Sequence, residues 1–566
     1  MERLKARIKD LLLDIGVKGD IDIIIPPDFE MGDFGFATFN LAKEQKKNPY
    51  DLTVELKEAV EEKGIPDFID RIEAVGPYLN FFLKTPKLAE VVIGDVKKAG
   101  KKYGTNTAGK NKKVLIEYPS NNTHKELHIG HLRNICIGNA LTKIFLASGF
   151  KAVPVNYLND FGSHVAKCLW GMEKFHKDQQ PPENKQRWLG EIYAEASIYL
   201  DEHPEYKQEV ADLQKKLESK DKSIWDLFLK TREWSIEGFD AAFAELGVKH
   251  DFVFYEKDIK EAGQKMVDEL LKKKIAEVGE GGAIIIDLKK YGLDIALLRK
   301  SDGSGLYMTS DLGLALAKQK KYPQQNESVH ITGDEQDFYF KQLFKVLELA
   351  GYKFKMTHIG YGLVNLPTGK MSSRKGTVVL YEDVKNSVFN EVMRETAPRH
   401  QDWSEERIND TCKKIALGAV KFDFLKHEAN KVIIFDEKSA VSFDGFTGPY
   451  VLYVVARINS LINKAKKIKN KINFELLKEP EEKQLLVLMC QYEDMIKKSL
   501  ENYNPSVITK YCFDLAKQYN DFYSKHSVLG AENDDVINAR LALSSSVKQV
   551  LENALGLLSI DTVEEM

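Results

Sequence analysis

Two histidines three residues apart, His128 and His131, flank Gly130 where a polar turn gives way to apolar residues at helical spacing. Leu127, Leu132, Ile135 and Ile137 set that spacing, which predicts a helix beginning near His128 with both imidazoles on one face of its first turn. Upstream, Val114 to Tyr118 reads as a short apolar strand, and Pro119 to Thr123 as a polar turn in which Pro119 withholds a ladder donor. A strand feeding a helix leaves free N–H groups and the positive end of the helix dipole at the junction, which is a phosphate site. Gly130 leaves room for something flat against the backbone. Alone, His-x-Gly-His describes two surface histidines on an ordinary helix. A second stretch answers it: Lys370-Met371-Ser372-Ser373-Arg374-Lys375-Gly376, a small-residue loop with three cations. It follows a strand-like run, His358 to Val364, and a turn at Pro367 and Gly369.

The elements that must carry these groups follow in order. After the histidine helix comes a buried strand from Ala152, ending in Asn159-Asp160-Phe161-Gly162 where another helix starts. Strand, helix, strand at this spacing is a parallel βαβ unit, and ligands bind such sheets at the carboxyl ends of the strands. Residues 175–275 read as a long, charged, helical insertion. Parallel strands are expected to resume at Gly282 to Asp287, Leu297 to Lys300 and Val329 to Gly333. Gly305 to Asp311 opens one helix and Asp334-Glu335-Gln336 another, with Asp334 suited to an N-cap. Residues 1–108 look like a separate small α/β unit whose strand, Ala74 to Leu83, carries Tyr78, Asn80, Phe81 and Phe82. Aromatics beside an Asn on a sheet can read an unpaired base, or be core. Residues 104–109 read as a linker, and from about 385 onward the pattern is all helical.

The fold class that results is a multidomain α/β protein: a Rossmann-like parallel-sheet core, a small α/β N-terminal domain and an all-helical C-terminal domain. The expected divisions are 1–108, 109–384 with the insertion, a helical connecting segment over 385–430, and 431–566. With 566 residues the chain is too long for one core. A net charge of −3 excludes a uniformly basic coat, so any nucleic-acid binding must come from local patches and shape. The run Lys464 to Lys471 is one such patch. The five cysteines, Cys136, Cys168, Cys412, Cys490 and Cys512, have no paired spacing. That fits a reducing cytoplasm and argues against a structural zinc site. No apolar run is long enough for a membrane span, and the N-terminus has no apolar signal core.

The histidine helix and the Lys370 loop, in that order, resemble the two signatures of the class I aminoacyl-tRNA synthetases. Glu117 to Asn122, Leu158 to Gly162, Ser301-Asp302-Gly303, Tyr307 to Asp311, Gly333 to Gln336, and Asp444 to Tyr450 with Ala456-Arg457 narrow the resemblance to the arginyl-tRNA synthetases over nearly the whole length. The resemblance implies activation of L-arginine with ATP, transfer to tRNA(Arg), an N-terminal domain on the tRNA elbow and a C-terminal anticodon-binding domain. Magnesium is implied by ATP and by no motif. A guanidinium needs carboxylates in bidentate reach. Glu117 and Asp311, each at a strand end, supply two, although each has a plain structural reading as an edge charge or an N-cap. By resemblance Asn122, Tyr307 and Gln336 also line the arginine site. His128 and His131 should donate to phosphates, Gly130 should admit adenine, and Met371 and Ser372 should line the nucleotide. Lys370, Arg374 and Lys375 should neutralise pyrophosphate. The general class I signature has a lysine where Ser373 stands, and the family resemblance suggests that Lys125 compensates. Asn80 and Phe82 are expected on the tRNA elbow, and Tyr450 and Tyr453, three apart on one helix, on the anticodon loop or packed between helices. No oligomerisation segment stands out, so a monomer is expected. A catalytically dead RNA-binding relative would break a signature, and a small nucleotidyltransferase would be far shorter.

Overall fold

The computed structural model describes residues 2–26, 29–367, 379–465 and 471–566. The N-terminal unit opens with helix α1 (Glu2–Asp14), whose Leu4, Ile8, Leu11 and Leu12 recur at helical spacing and are all buried. Strands β1 (Ile23–Ile24) and β2 (Phe34–Ala37) lead into α2 (Phe39–Gln45) and α3 (Pro49–Lys63), and β3 (Ile69–Val75) and β4 (Tyr78–Leu83) complete an antiparallel sheet of order β1-β2-β4-β3. Residues 74–83, expected as one strand, are instead broken by a hairpin turn. Gly76 takes a left-handed φ of 56° and Pro77 follows it, so the chain reverses between β3 and β4. Helix α4 (Thr85–Ala99) leads to the core.

Strand β5 (Lys113–Glu117) is buried along Val114, Leu115 and Ile116 because it lies in the middle of a five-stranded sheet. Helix α5 (Ile129–Ala147) crosses to β6 (Lys151–Leu158). Helices α6 (Ser163–Phe175), α7 (Lys185–Glu202), α8 (Lys207–Glu218) and α9 (Lys222–Glu245) follow. The insertion expected through residue 275 is a run of helices only as far as Glu245 and is then interrupted by a core strand. The chain then returns as β7 (Phe252–Tyr255), which pairs parallel with β6, and as α10 (Glu256–Lys272). The sheet closes with β11 (Glu327–Gly333) and β12 (Lys355–Tyr361), all strands parallel, in the order β12-β11-β5-β6-β7. The order reverses at β5, which opens a crevice at its carboxyl end between β5 and β11.

Between α10 and that return lie β8 (Glu277–Val278), β9 (Ile284–Ile286) and β10 (Ala296–Arg299). They were expected to extend the parallel sheet; they form a separate antiparallel sheet of order β10-β9-β8. The connections, residues 279–283 and 287–295, are too short for a parallel crossover, which takes about a dozen residues or more. Helix α11 (Tyr307–Lys321) then packs on α10, and α12 (Asp337–Leu349) on the far side of the site. The α10–α11 contact is backbone to backbone. A Cβ on Gly263 would lie 2.0 Å from the Thr309 carbonyl, and one on Gly313 2.5 Å from the Ile259 carbonyl.

Beyond the core, β13 (Val364–Asn365) pairs with β14 (Ile433–Ile434), and α13 (Tyr381–Thr396) and α14 (Glu405–Leu425) connect to the C-terminal helices. These are α15 (Glu437–Ala440), α16 (Gly448–Lys464), α17 (Pro480–Glu501), α18 (Ser506–Lys525) and α19 (Asp534–Leu557). They reach back to the N-terminal unit: Lys483 pairs with buried Asp33 at 2.8 Å, Lys5 with Asp494 at 3.1 Å, and Tyr103 Oη donates to the Met489 carbonyl. Among the described residues no helix is long and apolar enough to cross a membrane.

Because nothing at the α10–α11 contact is a flexible side chain end, Gly313→Ala forces the helices apart. It should cost about 1–3 kcal/mol in a urea unfolding titration. A loss under about 0.5 kcal/mol, as for a surface change, would mean that the helices are not held at this separation.

Candidate active site

The first turn of α5 is capped by its own histidines. His128, in extended conformation, is the N-cap: its Nδ1 accepts from the N–H of Gly130 at 3.1 Å and of His131 at 3.3 Å. His131 Nδ1 accepts from the N–H of His128 at 3.3 Å, and the two rings stack with centroids 3.8 Å apart. With both Nδ1 atoms accepting, the single proton of each neutral ring sits on Nε2. The rings are neutral: burial, reinforced by the ammonium of Lys125, pushes His128 down to about 4, and burial with His128 and Lys125 pushes His131 down as well. The site therefore offers two uncharged N–H donors at a helix N-terminus. A Cβ on Gly130 would come 3.0 Å from the His128 ring, a tight contact that the imidazole would have to shift to relieve.

The turn before α5 is fastened to the insertion. His124 is fully buried, its ring held between Thr123 and Thr231 and its N–H donating to Ser235 Oγ. The Lys125 ammonium lies 4.5 Å from the centre of the Tyr193 ring on α7. Asp160, fully buried at the end of β6, accepts from Arg232 Nε of α9 at 2.6 Å and from the Lys257 N–H. Asn122 bridges to Asn159, which brings the turn alongside the end of β6. His164 Nε2 donates to the Asn159 carbonyl at 3.1 Å, and burial with Lys125 nearby lowers this ring to about 4. The insertion, to which the sequence assigned no chemistry, buttresses the site on three sides.

Lys370, Met371, Ser372, Ser373, Arg374 and Lys375 lie outside the described residues, as does most of the Lys464 to Lys471 run. Both flanks of the Lys370 stretch are anchored to α5. Ile129 N–H donates to the Val379 carbonyl at 3.0 Å and Tyr381 N–H to the Leu127 carbonyl at 2.8 Å. On the other flank, the guanidinium of fully buried Arg133 donates to the carbonyls of Gly362, Lys431 and Glu428 at 2.6, 2.7 and 3.2 Å.

At the carboxyl ends of β5 and β6 the acids sort into two kinds. Glu117 is buried and ion-paired to Lys318 of α11, with His330 Nδ1 3.6 Å away on β11. Burial opposes its charge, but Lys318 and then His330 override it and hold the carboxyl at about 2. Asp160 has Arg232. Asp311 and Glu256, by contrast, have no cation within ion-pairing distance among the described residues. Asp311, on the first turns of α11, accepts from Tyr339 Oη, and Ser310 Oγ lies 3.5 Å from Glu256 at the start of α10. Burial, then the charge of Glu117, raises Asp311 to about 7; burial, then Asp160 and Asp311, raises Glu256 to about 7. Tyr157 of β6 stands within electrostatic reach of all three carboxylates Glu256, Asp311 and Glu117. Tyr307 is 83 % exposed, and Gln336 is exposed too, so neither closes on the pocket in this state. Sequence reasoning missed Glu256 and Lys318. Glu256 reads as an ordinary acid in a first helical turn; Lys318 could have been found, since it follows Asp311 by two helical turns on one face.

Of the residues expected on the tRNA elbow, Asn80 and Phe82 are buried: Leu79, Phe81 and Leu83 fill one face of β4, and on the other the Arg71 guanidinium covers the Phe82 ring at 3.6 Å. Exposed aromatics of this unit include Tyr50 and the pair Phe39 and Tyr78, edge to face at 5.8 Å. Tyr450 packs on Phe513, whereas Tyr453 stays exposed under the Arg457 guanidinium at 4.7 Å.

A parallel sheet that switches order at a histidine-capped helix, followed by a helical C-terminal domain, is the architecture of a class I aminoacyl-tRNA synthetase. Residues 93–436 match the family described as tRNA synthetases class I (R), catalytic domain; residues 2–83 match the arginyl tRNA synthetase N terminal domain, and 451–566 the DALR anticodon binding domain. The arginine–tRNA ligase of Clostridium botulinum (strain Alaska E43 / Type E3) is 36% identical over 557 residues, 97% of each chain, and that of Clostridium beijerinckii is 35% identical over 546 residues, 96% of each. The arginyl-tRNA synthetase structure of Thermus thermophilus superposes with a TM-score of 0.83 at 25% identity over 100% of both chains. That of Plasmodium falciparum shares the fold, with a TM-score of 0.79 at 19% identity over 100% and 99%. The chain belongs to the arginine–tRNA ligase family, the class I synthetases that join arginine to tRNA.

His128 and His164 are held neutral below the ordinary imidazole value of about 6.5, so unfolding at mildly acid pH takes up protons. The stability that depends on them is complete above about 6.5 and is lost as pH falls through about 4. Calorimetric Tm should therefore drop across that window, and His164→Gln should make the drop shallower by close to one proton. An unchanged slope would show that His164 is already charged in the folded chain.

Proposed function

We propose that this chain activates L-arginine with ATP and passes it to the 3′ end of tRNA(Arg), with Asp311 and Glu256 as the carboxylates that meet the guanidinium. One observation carries the reading: among the described residues these two acids have no cation within ion-pairing distance, Lys260 acting on Glu256 only from farther off, while Glu117 and Asp160 have Lys318 and Arg232. A guanidinium is always charged and presents a planar fork that two carboxylates can share. Glu117, expected as one of the pair, stands behind them on its own partner. Asn122, Tyr307 and Gln336 line the rest of the arginine site once the helix starts at Tyr307 and Asp334 draw in.

The reaction needs no covalent enzyme intermediate. The arginine carboxylate attacks the α-phosphorus of ATP and pyrophosphate leaves, so the protein's work is positioning and charge neutralisation. His128 and His131 donate Nε2–H to phosphate oxygens without adding charge of their own. Lys125, beside them, moves from the Tyr193 face toward the phosphates. Lys370, Arg374 and Lys375 take the pyrophosphate, and Met371 and Ser372 line the nucleotide. Among the described residues no cluster of three His, Cys, Asp or Glu is spaced for a metal ion, so magnesium would be held by the phosphates of ATP and water, where it would neutralise their charge. Phe39 and Tyr78 offer a stacking face for an unpaired base of the tRNA elbow, and Tyr453 with Arg457 one for the anticodon loop. The five cysteines are free and buried, which suits a protein working in a reducing cytoplasm.

ATP–pyrophosphate exchange with arginine, with and without tRNA, tests the reading. Asp311→Asn should abolish arginine-dependent exchange while leaving ATP binding measurable; equal loss of both would contradict the assignment. Because Asp311 and Glu256 must give up their protons to meet the guanidinium, the KM for arginine should rise as pH falls through about 7. Flat KM between pH about 6 and 8 would show that other groups bind the substrate. Lys125→Ala should slow adenylate formation by roughly 10²–10³, with partial recovery in combination with Ser373→Lys. A single variant within about threefold of the parent would make Lys125 a surface lysine.

A further inference from the structure

We propose that Lys318 is a positioning residue for arginine recognition: its buried ammonium claims Glu117, and so leaves Asp311 ionisable and open to the guanidinium. The inference rests on the reading of Asp311 and Glu256 as the guanidinium site. A cation is the last side chain expected in a pocket built for a cation, and lysine is rarely buried unless paired. Yet Lys318 is 2 % exposed and in ion-pair contact with the Glu117 carboxylate. It sits on the same face of α11 as Asp311, two turns further on. Glu117 is also held from the other side: His330 is its register neighbour on β11, with Nδ1 at 3.6 Å. Glu117, Asp311, Lys318 and His330 border one cavity of about 20 Å³, room for about one water and for no second cationic group.

The electrostatic consequence is specific. Asp311 faces Glu117 and Lys318 at once, with Tyr339 of α12 donating to it and Tyr157 and Glu256 nearby. Glu117 raises its proton affinity and Lys318 lowers it, so the two together act on Asp311 as a nearly neutral pair. Without Lys318, Glu117 is an uncompensated buried anion, and at neutral pH a proton settles on Asp311 or on Glu117 itself. A protonated Asp311 cannot take a guanidinium as an ion pair. The guanidinium site then fails for a reason located on neither of its carboxylates: Asp311 is neutralised by a change two helical turns away.

The test uses the full-length chain in ATP–pyrophosphate exchange, with arginine titrated at pH 7 and pH 8.5. Lys318→Met should raise the KM for arginine at pH 7 about tenfold, the effect of one unit of pKa displacement, and by less at pH 8.5. The KM for ATP and the kcat at saturating arginine should hold. Lys318→Arg should recover most of the loss. Lys318→Met with Glu117→Gln removes both charges and should bring the arginine KM back toward the parent, which a merely structural lysine could not do. If Lys318→Met does not fold, the double variant decides: a near-parental KM supports the proposal and a raised one overturns it. An unchanged arginine KM in folded Lys318→Met, or a double variant no better than the single, also overturns it. Asp311→Asn separates the two claims. If that variant keeps its arginine KM, the guanidinium site is misplaced; if it loses arginine while the Lys318 series stays flat, only the role of Lys318 fails.

Discussion

The guanidinium of Arg133 is the joint on which the catalytic half turns. It is fully buried, and its hydrogen bonds go to backbone carbonyls, three of them, drawn from two stretches of chain about 230 and 300 residues away. Neutral acceptors cannot cancel its charge, so burial lowers its proton affinity, to about 10, and still leaves it charged. What the arrangement secures is geometry. The same helix turn that carries His131 is bolted to Gly362, just ahead of the cationic stretch, and to Glu428 and Lys431, where the chain turns toward the C-terminal helices. On the other flank Val379 and Tyr381 bond the backbone of Leu127 and Ile129. Two signatures separated by some 240 residues of sequence are thereby referred to a single helix.

The pattern of charge in the site follows from competition for few cations. Four acids converge on the carboxyl ends of the central strands, and burial disfavours all of them. Two are given internal partners and stay ionised; two are not, and are poised near neutrality. The histidines complement this arrangement: held neutral, they present N–H donors at the mouth of the same crevice without adding positive charge to it.

Much of this was legible in the sequence, and what was not has physical reasons. The parallel core and the histidine helix were readable because β5 and β6 are buried on both faces and Leu132, Ile135 and Ile137 keep a strict period. The β8–β10 sheet was misread as parallel because an apolar run such as Ile284 to Ile286 carries no information on strand direction; the short connection does. The β3–β4 hairpin hid because Gly76-Pro77 lies inside one continuous β-forming stretch. The burial of Phe82 was hidden because alternation puts it opposite the core residues Leu79, Phe81 and Leu83, on a face that Arg71 covers from the neighbouring strand. Glu256 was missed for a different cause, as was the partner of Lys318: Lys318 pairs with Glu117 on an element far away in the chain, and Glu256 has no cation within ion-pairing distance among the described residues. A charge without a partner is a property of three dimensions only.

The clasp between the first and last domains carries a mechanical consequence. Asp33, buried beneath β2, is shared between the Leu83 N–H and the Lys483 ammonium of α17, and Tyr103 stacks on Tyr492 where Gly104 leaves no room for a side chain. The two outlying domains are therefore riveted to each other as well as to the core, and neither can part from the other without stripping a buried carboxylate of its cation.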